Sequence, residues 1–140
     1  MNSQFEPLNT LLQQQQAQLD ALLLLLRQEL AALASRDIEA LNTLTLEKQQ
    51  TLTEIQSTDA SIAANEWLQA AREESWFKQQ ISQLEDSLAS CKQQNDVNQI
   101  TLEQRQLTLQ RLKTELLSAR GKSGLTYTNK GKPTVDNIGR

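Results

Sequence analysis

The sequence has no histidine, one cysteine, two prolines and four glycines, and only 4% of it is aromatic. Each shortage closes off a kind of chemistry. Without histidine the usual general base near neutral pH is missing. A cysteine nucleophile needs such a base beside it, and Cys91 falls on an apolar helical seam, where it reads as a small buried hydrophobe. One cysteine also forms neither an intrachain disulfide nor a cysteine-based zinc site. Carboxylate di-metal bundles rely on Glu-x-x-His pairs, which do not exist here. The glycines stand at 121, 124, 131 and 139, so the preceding body has no glycine-rich phosphate loop. Adjacent acids such as Glu73–Glu74 and Glu85–Asp86 do not converge on one helix face. The expectation is a protein without catalytic activity, cofactor or metal.

Strand formers are scarce as well. β-branched and aromatic residues are thinly spread, while Leu, Ala, Glu and 20 Gln recur throughout the 140 residues. These are strong helix formers. Positive charge is short in the body: residues 1–120 hold 10 Lys/Arg against 16 Asp/Glu, whereas residues 121–140 hold four basic residues and one acid. An acidic body argues against nucleic acid and anionic membrane as partners. No long apolar run occurs. The five leucines of 22–26 fall far short of the roughly 20 residues that span a bilayer. "MNSQFEPLNT" shows neither a basic n-region nor an apolar h-region. A cytoplasmic protein is expected.

What is present is heptad periodicity. A first helix, 7–34, starts at Pro7, which suits a first helical turn. It carries Leu12, Gln16, Leu19, Leu23, Leu26, Leu30 and Leu33 at alternating steps of four and three. Leu8, Leu11 and Leu22 widen the stripe toward a second neighbour. "SRD" at 35–37 offers Ser35 or Asp37 as a cap for a new helix, and so short a link makes an antiparallel hairpin. The second helix, 37–64, has a poorer seam: Ile38, Leu41, Thr45, Lys48, Leu52, Ile55, Asp59 and Ile62. Residues 57–75 read as the end of that helix plus a crossover, with Trp67, Trp76 and Phe77 packing the end of the bundle. The third helix, 75–119, runs from Phe77 through Ile81, Leu84, Leu88, Cys91, Asn95, Asn98, Leu102, Arg105, Leu109 and Leu112 to Leu116.

Its seam is polar in the middle. Asn95 and Asn98 either fix register as buried groups or overhang solvent. Gly121 is placed to close the helix in the left-handed conformation. The fold expected is therefore all-α: an elongated antiparallel three-helix bundle over 1–120 and a flexible tail over 121–140. The third helix is longer than its partners, so Leu109, Leu112, Leu116 and Leu117 form an apolar face without intramolecular cover. Such a face binds another helix or serves as an oligomer seam.

Two short stretches narrow the reading. "KQQNDVN" (92–98), inside a long Leu-rich helix, and "LTYTNKGKP" (125–133), after it, resemble the FlgN family of bacterial flagellar export chaperones. Asn95-x-x-Asn98 matches that family's mid-helix asparagine pair, and Tyr127 to Gly131 its post-helix Tyr-x-x-x-Gly. "LEKQQTLTEI" (46–55) is similar to its second-helix pattern. Gln99 stands where the family often has Gly. The resemblance implies a cytoplasmic chaperone. It would bind the hook–filament junction proteins FlgK and FlgL, keep them unassembled and deliver them to the flagellar type III export apparatus. It further implies that Tyr127 docks on the export gate, FlhA; the other reading has Tyr127 folding back onto the bundle. The competing function is a self-associating coiled-coil structural or adaptor protein, a homo-oligomer through its long third helix.

Overall fold

The computed structural model describes residues 2–123, with side chains through Ser118. Every regular element among them is helical: a 3₁₀ turn (Ser3–Phe5), then α1 (Glu6–Ser35), α2 (Ile38–Ala63), the single turn α3 (Leu68–Ala71) and α4 (Ser75–Ser123). The chain divides into two compact units, Met1–Gln99 and Ile100–Arg140.

In the first unit α1, α2 and the first half of α4 pack as a three-helix bundle. Cross-helix bonds give the directions. Gln18 of α1 donates to Thr58 Oγ1 of α2 at 2.9 Å, and Lys48 donates to Glu29 at 2.7 Å. The α2 partner number falls as the α1 number rises, so these helices are antiparallel. Gln16 donates to Ser87 Oγ at 2.7 Å, Cys91 Sγ to Leu19 O at 3.4 Å, and Asn98 Nδ2 to Leu26 O at 2.8 Å. Here the partner numbers rise together, so α4 runs parallel to α1.

The hairpin between α1 and α2 uses two residues. Arg36 adopts φ 59°, ψ 36°, a left-handed conformation that costs a residue bearing a Cβ about 1–2 kcal/mol. The N–H of Asp37 reaches Ala32 O at 3.0 Å and that of Arg36 reaches Leu33 O at 3.4 Å, the paired closure of a Schellman motif. Asp37 then caps α2, its carboxylate accepting from the Ala40 N–H at 3.0 Å. Ser35 does not cap: its hydroxyl donates back to Ala31 O and Ala32 O.

The core lies mainly on α1. Leu8, Leu12, Leu19, Leu22, Leu25, Leu26, Ala32 and Leu33 are buried, while α2 buries only Thr58 and Ile62. Phe5 closes one end against Trp67 (ring centroids 6.3 Å apart) and Trp76 (5.8 Å), with Phe77 edge-on to Trp76. The aromatic residues therefore pack the bundle end, and Phe5, absent from the sequence-derived seam, joins them. Asn65 Oδ1 accepts from the Trp67 N–H at 2.9 Å and sets the turn that leads into α3.

Three expectations change in detail. The inner face of α2 is Leu41, Leu44, Lys48, Thr51, Ile55, Thr58 and Ile62, whereas Ile38, Thr45, Leu52 and Asp59 are exposed. Half of the expected seam is thus one residue out of register. Both versions are equally weak as apolar patterns, and packing against α1 selects between them. On α4, Ser87 and Gln94 are half-buried while Leu88 and Asn95 are exposed. Finally, α4 continues through Gly121 to Ser123. A glycine inside a helix costs only about 1 kcal/mol, and no proline follows until Pro133 to force a stop.

The hairpin is open to a direct check. Asp37→Ala should cost about 1 kcal/mol by removing the cap. Arg36→Gly should add up to about 1 kcal/mol by relieving the left-handed strain. Urea denaturation followed by circular dichroism reads both, and midpoints shifted in opposite directions are the expected result.

Candidate partner-binding surface

The polar residues of the α4 seam divide by depth. Asn98 is 2% exposed. Its Nδ2 donates to Leu26 O and to Glu29 Oε1, each at 2.8 Å, and its Oδ1 accepts from Gln94 Nε2 at 3.0 Å. The other oxygen of Glu29 accepts from Lys48 of α2. One side chain from each long helix thus meets at a single point. The Glu29–Lys48 pair is partly exposed, and such pairs contribute roughly 0–1 kcal/mol. Its weight lies in holding the carboxylate toward Asn98, since a bond to a charged acceptor is stronger than a neutral one. Asn95, three residues earlier, is exposed. Of the two asparagines, one works inside the bundle and the other faces solvent.

Cys91 is buried, as its seam position implies. Burial raises its pKa above the ordinary thiol value, the Asp20 carboxylate raises it further, and Arg27 acts the other way. The thiol stays protonated at neutral pH and is a poor nucleophile. A shallow groove at the hairpin end is lined by Ala31, Ala32, Ala40, Thr43 and Leu44. Its acidic neighbour, Asp37, is already engaged as a cap. No cluster of three His, Cys, Asp or Glu side chains among the described residues is arranged to hold a metal ion, and no described helix is long and apolar enough to cross a membrane.

The second unit holds the rest of α4. Leu109, Leu112 and Leu116 are 59%, 50% and 63% exposed, and Leu117 is half-buried. Spacings of three and four put Leu109, Leu112 and Leu116 on one face, with Lys113 and Glu115 at its flanks. Thr108 and Thr114 turn their hydroxyls onto the carbonyls four residues back, so they make no outward hydrogen-bond donor. Sequence reasoning overlooked Leu107, which is 65% exposed. It lies off the heptad, and a search for a seam passes over it. Tyr127 and Gly131 lie outside the described residues.

These features define a class: an all-helical protein that exposes an apolar face on its longest helix. Comparison with family models takes this further. The model for "FlgN protein" matches residues 1–134, and the chain belongs to the FlgN family, the flagellar export chaperones. That family is one of chaperones rather than enzymes. No curated protein and no solved structure matches the chain.

The buried thiol supplies a pH test. Its folded-state pKa is raised, so the stability it contributes is intact below about 8.5, the usual unfolded value, and is lost as pH rises through the folded value. Cys91 should react slowly with a thiol reagent in the native protein and quickly in denaturant. Stability measured by urea unfolding should fall above about pH 8.5 in the parent, and this fall should be reduced in Cys91→Ala.

Proposed function

We propose that this protein is a cytoplasmic carrier for the hook–filament junction proteins FlgK and FlgL. It masks their helical terminal regions against premature assembly and delivers them to the type III export apparatus. The observation that carries this reading is the exposed leucine face of α4, Leu109, Leu112 and Leu116, in a member of a chaperone family. A helix that offers such a face substitutes for the partner that the cargo's own helices find on assembly. Leu117 flanks the face, and Asn95 is open to a partner. Cargo must be released, so a moderate interface suits the task better than an obligate one. Residues 121–140, with their excess of basic side chains, form the second contact. In that segment Tyr127, within the Tyr-x-x-x-Gly ending at Gly131, anchors to the export gate FlhA as a lone aromatic inserted in a pocket.

The same leucines support a second reading, a coiled coil in which α4 pairs with α4 of another copy. Sedimentation separates the two: a tight dimer that persists with cargo present favours self-association.

Calorimetric titration with purified junction proteins tests the first reading, using the full chain and a version ending at Arg120. Binding by both versions is expected. Leu112→Gln with Leu116→Gln keeps helix propensity and removes the two central anchors. At about 2 kcal/mol for a buried anchor, affinity should drop by at least about tenfold per 1.4 kcal/mol lost. Unchanged affinity would remove the surface, and absence of binding by either version would remove the cargo.

A further inference from the structure

The buried column of α1 repeats almost perfectly. Leu12, Leu19, Leu26 and Leu33, with Phe5 just ahead of the helix, stand seven apart, and all are buried. The α4 column facing it is Phe77, Leu84, Cys91 and Asn98, also seven apart and also buried. Cys91 bonds to Leu19 O and Asn98 to Leu26 O, each across 72 residues. The same interval relates Phe77 to Phe5 and Leu84 to Leu12.

Four identical leucines at heptad spacing make a poor ruler. If α4 slid by one heptad, about 10 Å along the axis, Cys91 would face Leu26, Leu84 would face Leu19 and Phe77 would face Leu12. Every one of those meetings is still apolar on apolar. Hydrophobic burial is non-directional and distinguishes the two registers weakly. The aromatic corner around Phe5 favours the observed register, but by packing, and a Phe77 set against Leu12 recovers part of that.

Asn98 differs in kind. Its carboxamide is matched at one place only, where Leu26 O and Glu29 Oε1 both lie at 2.8 Å. Sliding by a heptad leaves the carboxamide and Glu29 without each other. Buried polar groups without partners are costly, and a single polar residue on an apolar column is a known way to specify register. We propose that Asn98, held through Glu29 and Lys48, is the register key of the bundle, the positioning residue that selects one alignment of α4 on the leucine column of α1.

Distance measurement tests this in the full chain. Spin labels on Thr10→Cys and Asp96→Cys, both exposed, in a Cys91→Ala background sit at different heights along the parallel helices. A one-heptad slide therefore changes their separation by close to the full 10 Å or so. Pulsed dipolar spectroscopy should give one distance for the parent. Asn98→Leu and Asn98→Ala should each add a second population displaced by about that amount, with helix content by circular dichroism unchanged. A single parental distance in both variants overturns the proposal. So does loss of helix without a second distance, because Asn98 would then supply stability and not register.

Discussion

Everything in the first unit depends on the apolar column of α1. Eight of the fourteen buried apolar residues among those described belong to this one helix. Helix α2 returns along it and α4 runs beside it, yet neither has a comparable stripe of its own. Each fully buried leucine contributes about 2 kcal/mol, so the column outweighs the caps and polar contacts taken one at a time. It also explains why α2 tolerates Lys48 and two threonines, Thr51 and Thr58, along its inner face. That helix needs only to cover one flank of α1.

A uniform column secures association better than alignment. Alignment comes from the few polar groups that interrupt it: Gln16 with Ser87, Gln18 with Thr58, and the meeting of Asn98, Glu29 and Lys48. These bonds are short and directional, and each has one geometry that satisfies it. The division of labour is physical. Dispersion and solvent exclusion set how strongly the helices associate, while hydrogen bonds select which of several near-equivalent associations is adopted.

The candidate surface follows from the opposite circumstance. Leu109, Leu112 and Leu116 continue the heptad rhythm of α4, and all three are half or more exposed. In a member of a flagellar export chaperone family, this open leucine face is the surface to which the proposed grip on another protein's helix is assigned. The one thiol, Cys91, is buried in the first unit and held protonated.

Much of this was legible in the residues themselves. A glycine-free body rich in Leu, Ala, Gln and Glu has no low-energy alternative to helix. The 4-3 spacing on α1 identified its inner face, and "SRD" identified the hairpin. The leucines of distal α4 were visible as a face with nothing of equal length to meet. Other features were open until the chain folded. Whether Leu44, Thr51 and Thr58 or Thr45, Leu52 and Asp59 face inward depends on α1, because neither set is apolar enough to decide. Asn95 and Asn98 have the same chemistry at neighbouring seam positions. Only the angle at which α4 meets α1 turns one to solvent and brings the other against Leu26 O and Glu29. Phe5 enters the core because α3 and the start of α4 bring Trp67 and Trp76 to it. Local pattern determines which elements form and which face of each is apolar, since period and propensity act within a few residues. The α1 partner of a polar α4 side chain lies about 70 residues away in sequence, and only the tertiary structure brings it within hydrogen-bonding reach.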